Sequence, residues 1–370
     1  MAPIPPVGTL PSASLPTLPL LDGGRASMLP PAASATRRTK IGRRGRVVFS
    51  KEDDIVSKRV TFGWIMQPAL FFTPEGTDPG DIRLAREMIS ANEEHVELAR
   101  EAGFDTVWVE DHMGWQNKAH LECFTNMAWL AGRHPGLRYG TMVCGQAFRN
   151  PGYLAKLATN MHLLTGGRFI LGIGAGNNGP EHHAFGYPFP PPKERLAQTE
   201  EAIRIIRALW KESPATFRGK HYRVEEAYSS PLPDEPIPLM IGGGGEKKTL
   251  RLVARYADWW CNDVAPSPVF ERKKHVLAEH CGAVGRDPAE IVHSQVAWIS
   301  VEEQADRIVR WDRLHVVAGS PEEVTREMLE FVEAGVEHFQ IRFMDYPGPA
   351  GMERFVEKVV PRLLEYEAAP

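Results

Sequence analysis

From Thr61 onward the hydrophobic pattern switches between short apolar runs and stretches with an apolar residue every three or four positions, with Gly or Pro at many of the changes. Runs of about four to eight residues bounded by turn residues read as strands, and the 3.6-residue period reads as helix. Thr61 to Gln67 is the first strand. After a Pro- and Gly-bearing loop from Pro68 to Asp81, a helix with Ile89, Val96, Leu98 and Ala102 on its apolar face stops at Gly103. Further strands fall at 104–110, 139–144, 169–173, 238–241, 259–262, 291–301 and 338–343, and further helices at 122–132, 153–164, 194–211, 246–256, 268–283, 320–334 and 352–365. Eight strands, each followed by a helix after a short connection, make the pattern of a parallel α/β sheet. Such a set closes naturally into a (β/α)8 TIM barrel. An open doubly wound sheet is the alternative, but nothing in the sequence marks the midpoint reversal it needs.

The first sixty residues follow other rules. Met1 to Thr36 is mostly Pro, Ala, Ser, Thr and Leu without a helical or strand period, and residues 1–50 hold seven basic side chains against the single Asp22. That segment carries +6, so the remainder of a chain with net charge −4 must carry −10. A disordered Pro-rich, basic tail over 1–60 and one barrel domain over 61–370 are expected. Arg37-Arg38 resembles a twin-arginine export signal, but no apolar h-region follows. The acidic folded part, without interleaved aromatic stacking platforms, argues against a nucleic-acid partner. No stretch approaches the roughly 18 apolar residues of a membrane span. Cys123, Cys144, Cys261 and Cys281 stand far apart with no CxxC, so no disulfide framework or metal site is expected. A reducing, cytoplasmic setting suits that usage.

A barrel of this type carries its chemistry at the carboxyl ends of the strands. The candidates are Gln67, Glu110-Asp111-His112, Cys144-Gly145-Gln146, Gly174 to Asn177, Gly242 to Gly245, Asn262-Asp263 and Asp345. Asp111 and His112 supply an acceptor and a group that titrates near neutral pH, and Trp115 adds a flat apolar wall. The plain alternative is that Asp111 caps a turn and His112 is solvated. Gly174-Ala175-Gly176-Asn177-Asn178-Gly179 satisfies G-x-G-x-x-G, yet Pro180, Pro188, Pro190, Pro191 and Pro192 are read as delaying the next helix to about Glu194. Gly242 to Gly245 is better placed, because the next helix begins at once and Lys247 or Lys248 lies near, as a phosphate cradle needs. Glu181-His182-His183 reads as surface loop. With no nucleophile elbow, zincin helix or Walker loop in the chain, a phosphate-bearing organic cofactor facing a histidine remains.

Arg168 to Leu196 (RFILGIGAGNNGPEHHAFGYPFPPPKERL) and Ile237 to Trp260 (IPLMIGGGGEKKTLRLVARYADWW) resemble the bacterial luciferase-like flavin oxidoreductases, most closely the branch dependent on coenzyme F420. Glu101 to His112 and Phe148 to Arg168 are similar to the same superfamily, and the resemblance covers about residues 61 to 365. It implies a (β/α)8 barrel that holds a deazaflavin or flavin at its top face and transfers a hydride. His112 then lies near the reactive ring and moves a proton, with Asp111 holding His112 or the ring. Met142, Val143 and Cys144 match a strand end where deazaflavin members carry a non-proline cis peptide. Gly174, Ala175, Gly176 and Asn177 match the loop lining the ring edge, while Gly242, Gly243, Gly244, Gly245 and Asn262 match the ribityl-phosphate region. Gln67 and Trp115 are expected in the substrate pocket. Asn177 stands where some sugar-phosphate-oxidising members have Glu, so their acid–base pair is not reproduced. The resemblance also implies a homodimer. Two rivals stay open: a monooxygenase using reduced FMN and O2, and a barrel that binds a ligand without catalysis.

Overall fold

The computed structural model describes residues 60–67, 78, 81–114, 120–302, 304 and 314–367. The expected tail, the Pro68 loop and Trp115 fall outside the described residues. In chain order the elements are β1 (Thr61–Met66), α1 (Ile82–Glu101), β2 (Thr106–Val109), α2 (Cys123–Arg133), β3 (Arg138–Thr141), β4 (Cys144–Gly145), α3 (Pro151–Leu164), β5 (Phe169–Gly174) and α4 (Gly179–Ala184). Then come α5 (Pro192–Lys211), β6 (Ala215–Arg218), β7 (Arg223–Ala227), β8 (Leu239–Gly242), α6 (Thr249–Tyr256), β9 (Trp259–Asn262), α7 (Ser267–Val284) and β10 (Val292–Val301). The chain continues with β11 (Val316–Gly319), α8 (Pro321–Ala334), β12 (His338–Phe343), α9 (Ala350–Arg354) and, after a π-helical turn over 355–359, α10 (Val360–Glu367).

Strands β1, β2, β3, β5, β8, β9, β10 and β12 pair in that order, all parallel. The pairing of β1 with β12, from Thr61 opposite His338 to Trp64 opposite Ile341, closes the ring. These are the eight strands expected from the sequence, and they form a TIM barrel rather than an open sheet. Segments not foreseen as strands are the antiparallel β6–β7 hairpin and β11 beside β10. The hairpin is mostly exposed, and its apolar face is only Ala215 and Phe217 opposite Ala227 and Val224, too short to show a period. β11 is four buried apolar residues, too short and uniform to read.

Strand alternation sorts the core into two layers. Ile65, Trp108, Ile170, Met240, Cys261 and Val296 fill the barrel interior. Their strand neighbours, among them Trp64, Val107, Leu171, Leu239, Trp260 and Phe339, pack outward against the helices. Trp108 determines two of its neighbours by size: a methyl at Gly63 would lie 2.3 Å, and one at Gly140 also 2.3 Å, from the indole. Its Nε1 donates to Nε2 of the buried His338 at 2.9 Å, and His338 Nδ1 lies 2.7 Å from Thr61 Oγ1. A full plug of side chains therefore closes the lower barrel and leaves the upper ends to shape a site.

Candidate active site

Along β2 the inward position of Trp108 carries forward to Glu110 and His112, while Asp111 points the other way. Glu110 pairs with Arg342, an inward residue of β12 whose guanidinium lies 4.9 Å from the Trp298 ring. Asp111 takes Arg149 Nη1 at 2.7 Å and Nη2 at 2.9 Å, and accepts from the Gly145 N–H at 3.0 Å. With side chains 1% and 9% exposed, Asp111 and Arg149 form a buried pair, which Glu122 extends at 2.7 Å. The reading that Asp111 holds His112 is thus corrected. Residues adjacent in a strand face opposite sides, and Asp111 anchors the β4 backbone instead.

The residue that holds His112 is Glu181. Its Oε2 lies 2.8 Å from His112 Nδ1, and its Oε1 accepts from the N–H of Met113 at 2.6 Å and of Gly114 at 3.2 Å. The sequence reads Glu181–His183 as surface loop, but α4 starts at Gly179 and buries both Glu181 and His182. His183 alone of the three is exposed. His182 is stacked on Phe148 with ring centroids 4.4 Å apart. The missed signal was a helix start: Asn178 caps the Glu181 N–H at 3.3 Å and Pro180 occupies the first turn.

Burial works against a charged His112, but the Glu181 hydrogen bond and the charges of Glu110, Glu181 and Asp111 outweigh it and hold the imidazole above its ordinary value. Glu181 is held below the ordinary carboxylate range, since His112 and the two backbone N–H groups overcome the cost of burial. His120, edge-on to His112 at 6.0 Å, is pushed down to about 4 by burial and then by the neighbouring imidazole. Near neutral pH the His120 ring is therefore neutral.

The next three strand ends form a seat. The Met142–Val143 peptide is cis, which settles which bond at this strand end departs from trans. Val143 lies over three glycines: an added Cβ would sit 3.0 Å from its side chain at Gly172, 2.8 Å at Gly174 and 2.9 Å at Gly242. Met142 and Val143 are half-buried and border the interior cluster. Cys144 does not join them. It points into the outer layer, where its thiol meets that of Cys123, again because it is one residue out of phase.

Two glycine loops rim the seat. In the first, Gly174 O accepts from Gln146 N at 3.1 Å, Ala175 O from Arg195 Nε at 3.1 Å, Gly176 has φ +75°, and Asn177 is exposed. In the second, Gly243 has φ +112° and its carbonyl accepts from Trp260 Nε1 at 3.0 Å. Lys247 and Lys248 are exposed in a turn, and α6 begins only at Thr249 rather than Glu246. The cation against this loop is Lys273 of α7, whose Nζ would touch a methyl on Gly244 at 2.1 Å and donates to Asn262 Oδ1 at 3.2 Å. Asn262 is fully buried and donates to Gln295 Oε1 at 2.8 Å. Burial holds Lys273 below its ordinary value. Gln67, at the end of β1, is buried with no hydrogen-bond partner on its Oε1 among the described residues.

A family model described as luciferase-like monooxygenase matches residues 68–314. An F420-dependent glucose-6-phosphate dehydrogenase of Intrasporangium calvum is 39% identical over 171 residues, 44% of this chain and 49% of that enzyme. One of the same name from Amycolatopsis mediterranei is 26% identical over 73% of this chain and 93% of its own length. Among solved structures, an F420-dependent secondary alcohol dehydrogenase with an F420–acetone adduct superposes with TM-score 0.71 at 21% identity, covering 82% of this chain and 99% of that one. A type II Baeyer–Villiger monooxygenase from Pseudomonas putida in complex with FMN superposes with TM-score 0.66 at 18% identity, covering 82% and 98%. With a closed barrel and a family match over residues 68–314, more than half of the chain, the protein belongs to the luciferase-like monooxygenase family.

Proposed function

We propose that this protein is an oxidoreductase that uses coenzyme F420 to oxidise or reduce a small organic substrate at the top of the barrel. The observation that carries this is the juxtaposition of a low platform, Val143 resting on Gly172, Gly174 and Gly242, with a histidine held by a buried carboxylate. Val143 packs directly on Gly174 and Gly242, where a side chain would collide with it, so it lies low across the strand ends and presents a platform that suits a flat ring. Val143, Met142, Gly174 and the loop through Asn177 hold the ring, and Gln67 offers a buried acceptor for an N–H or O–H donor. Gly243 to Gly245, with Asn262 and Lys273, receive the phosphate. When bound, the deazaflavin supplies the two-electron hydride chemistry.

The chain's own work is orientation and proton handling. His112 gives or takes the proton that accompanies hydride transfer, and its raised affinity for that proton suits it to act near neutral pH. Asp111, through Gly145 and Arg149, keeps the backbone beside Val143 in place. The F420 named in the dehydrogenase relatives supports this cofactor, while the FMN-bound neighbour supports the rival monooxygenase. A cytoplasmic homodimer is the setting we propose, and the exposed Trp129 of α2 with Tyr153 and Leu164 of α3 supplies apolar surface for it. Anaerobic assays of deazaflavin absorbance against alcohols, sugar phosphates and activated alkenes test the reading. Wild type is expected to turn over at least one class, and His112→Ala to lose about 10²–10⁴-fold. Undiminished turnover by His112→Ala overturns the assignment.

A further inference from the structure

We propose that Glu181 is the positioning residue that sets the tautomer of His112, so that Nδ1 carries the hydrogen and Nε2 exchanges the proton with substrate. The inference rests on His112 being the proton-handling group. Three carboxylates surround that imidazole, and two are committed elsewhere: Asp111 to Arg149 and Gly145, Glu110 to Arg342. Of the three, Glu181 is the one within hydrogen-bond distance, with Oε2 at 2.8 Å from Nδ1 and a side chain 2% exposed. An ionised carboxylate only accepts hydrogen bonds. The Met113 and Gly114 N–H groups on Oε1 favour the ionised form and fix the carboxylate's plane. Neutral His112 must then present N–H at Nδ1 and a lone pair at Nε2. When Nε2 takes a proton, Glu181 offsets the new charge; when it returns the proton, the same tautomer is restored.

Glu181 also joins this proton site to the cofactor seat. It stands four residues beyond Asn177, the last residue of the ring-lining loop, and the intervening Asn178 caps its N–H. His120 faces the imidazole from the other side but is neutral near pH 7, so it does not compete for the charge.

The test uses full-length protein with ¹⁵N-labelled histidine and no cofactor, with the His112 resonances identified by their loss in His112→Ala. Two-bond ¹H–¹⁵N spectra should report the Nδ1–H tautomer in wild type. In Glu181→Gln the amide NH₂ can donate to Nδ1, so the Nε2–H form should appear and the titration midpoint should fall. Asp111→Asn should leave the tautomer unchanged. In turnover, Glu181→Gln should lose about a hundredfold or more in kcat, with its pH profile displaced to lower pH and cofactor affinity within about twofold. Glu181→Asp should restore the wild-type tautomer in part. An unchanged tautomer and midpoint in Glu181→Gln, or the same change in Asp111→Asn, overturns the proposal. Failure of the parent reading shows separately, as full turnover in His112→Ala.

Discussion

Gly174→Ala tests whether the cofactor seat is built from the contact between Val143 and its glycine floor. The new methyl would lie 2.8 Å from Val143 Cγ2, while the next atoms, Gly242 O and Val143 Cβ, are at 3.8 and 4.0 Å. One atom pair alone is therefore over-compressed, by about 1 Å against ordinary carbon–carbon contact. Overpacking of that kind costs about 1–3 kcal/mol, and because Val143 must move, ring affinity should fall with stability. Val143→Ala by itself removes two half-buried methyls and should cost about 1 kcal/mol. In the double variant the clashing atom is gone and the residual contacts are the ordinary ones at 3.8 and 4.0 Å, so the Gly174 penalty should vanish. Thermal melts and cofactor titrations on all four proteins form the cycle. We expect a coupling of about 1–3 kcal/mol in favour of the double variant. Penalties that simply add, to within about 0.5 kcal/mol, would refute the steric argument.

Three further outcomes follow from the same geometry. Asp111→Asn leaves Arg149 with Glu122 but breaks its most buried partner, and should cost about 3 kcal/mol in thermal stability; a loss under about 1 kcal/mol would mean the pair is not structural. Buried His338 is pushed from 6.5 down to about 4, so its neutral form favours folding fully above pH 6.5 and that contribution drains away as pH falls towards 4, by about 3 kcal/mol. His338→Gln should flatten the slope of Tm against pH across that window, and an unchanged slope would refute this. Lys273→Met should weaken cofactor binding about tenfold or more and reduce its dependence on salt, measured by equilibrium titration at two ionic strengths; equal affinity would remove Lys273 from the phosphate site.

The barrel was legible because each of its strands is an apolar run set off by turn residues and each helix carries an apolar stripe. Those signals are local and survive without any knowledge of partners. The site was only half legible. Gly174, Gly242 and His112 stand at strand ends, where strand counting alone places them. Asp111 and Cys144 face away from their sequence neighbours His112 and Val143, as the two-residue strand period dictates, and a motif match by itself does not show which face a residue takes. Glu181 was hidden by the prolines around it, although Asn178 and Pro180 spell a helix start. Lys273 reaches Gly244 only through the packing of α7 against the β8–α6 loop, a contact with no local signature.

The central claim is that the site around Val143 and His112 takes a deazaflavin. Equilibrium fluorescence titration of the purified protein with F420 and, separately, with FMN tests it most directly. The account predicts saturable binding of F420 at micromolar concentration or below and none of FMN over the same range. Tight FMN binding without F420 binding would contradict it and make the FMN-dependent monooxygenase the better reading.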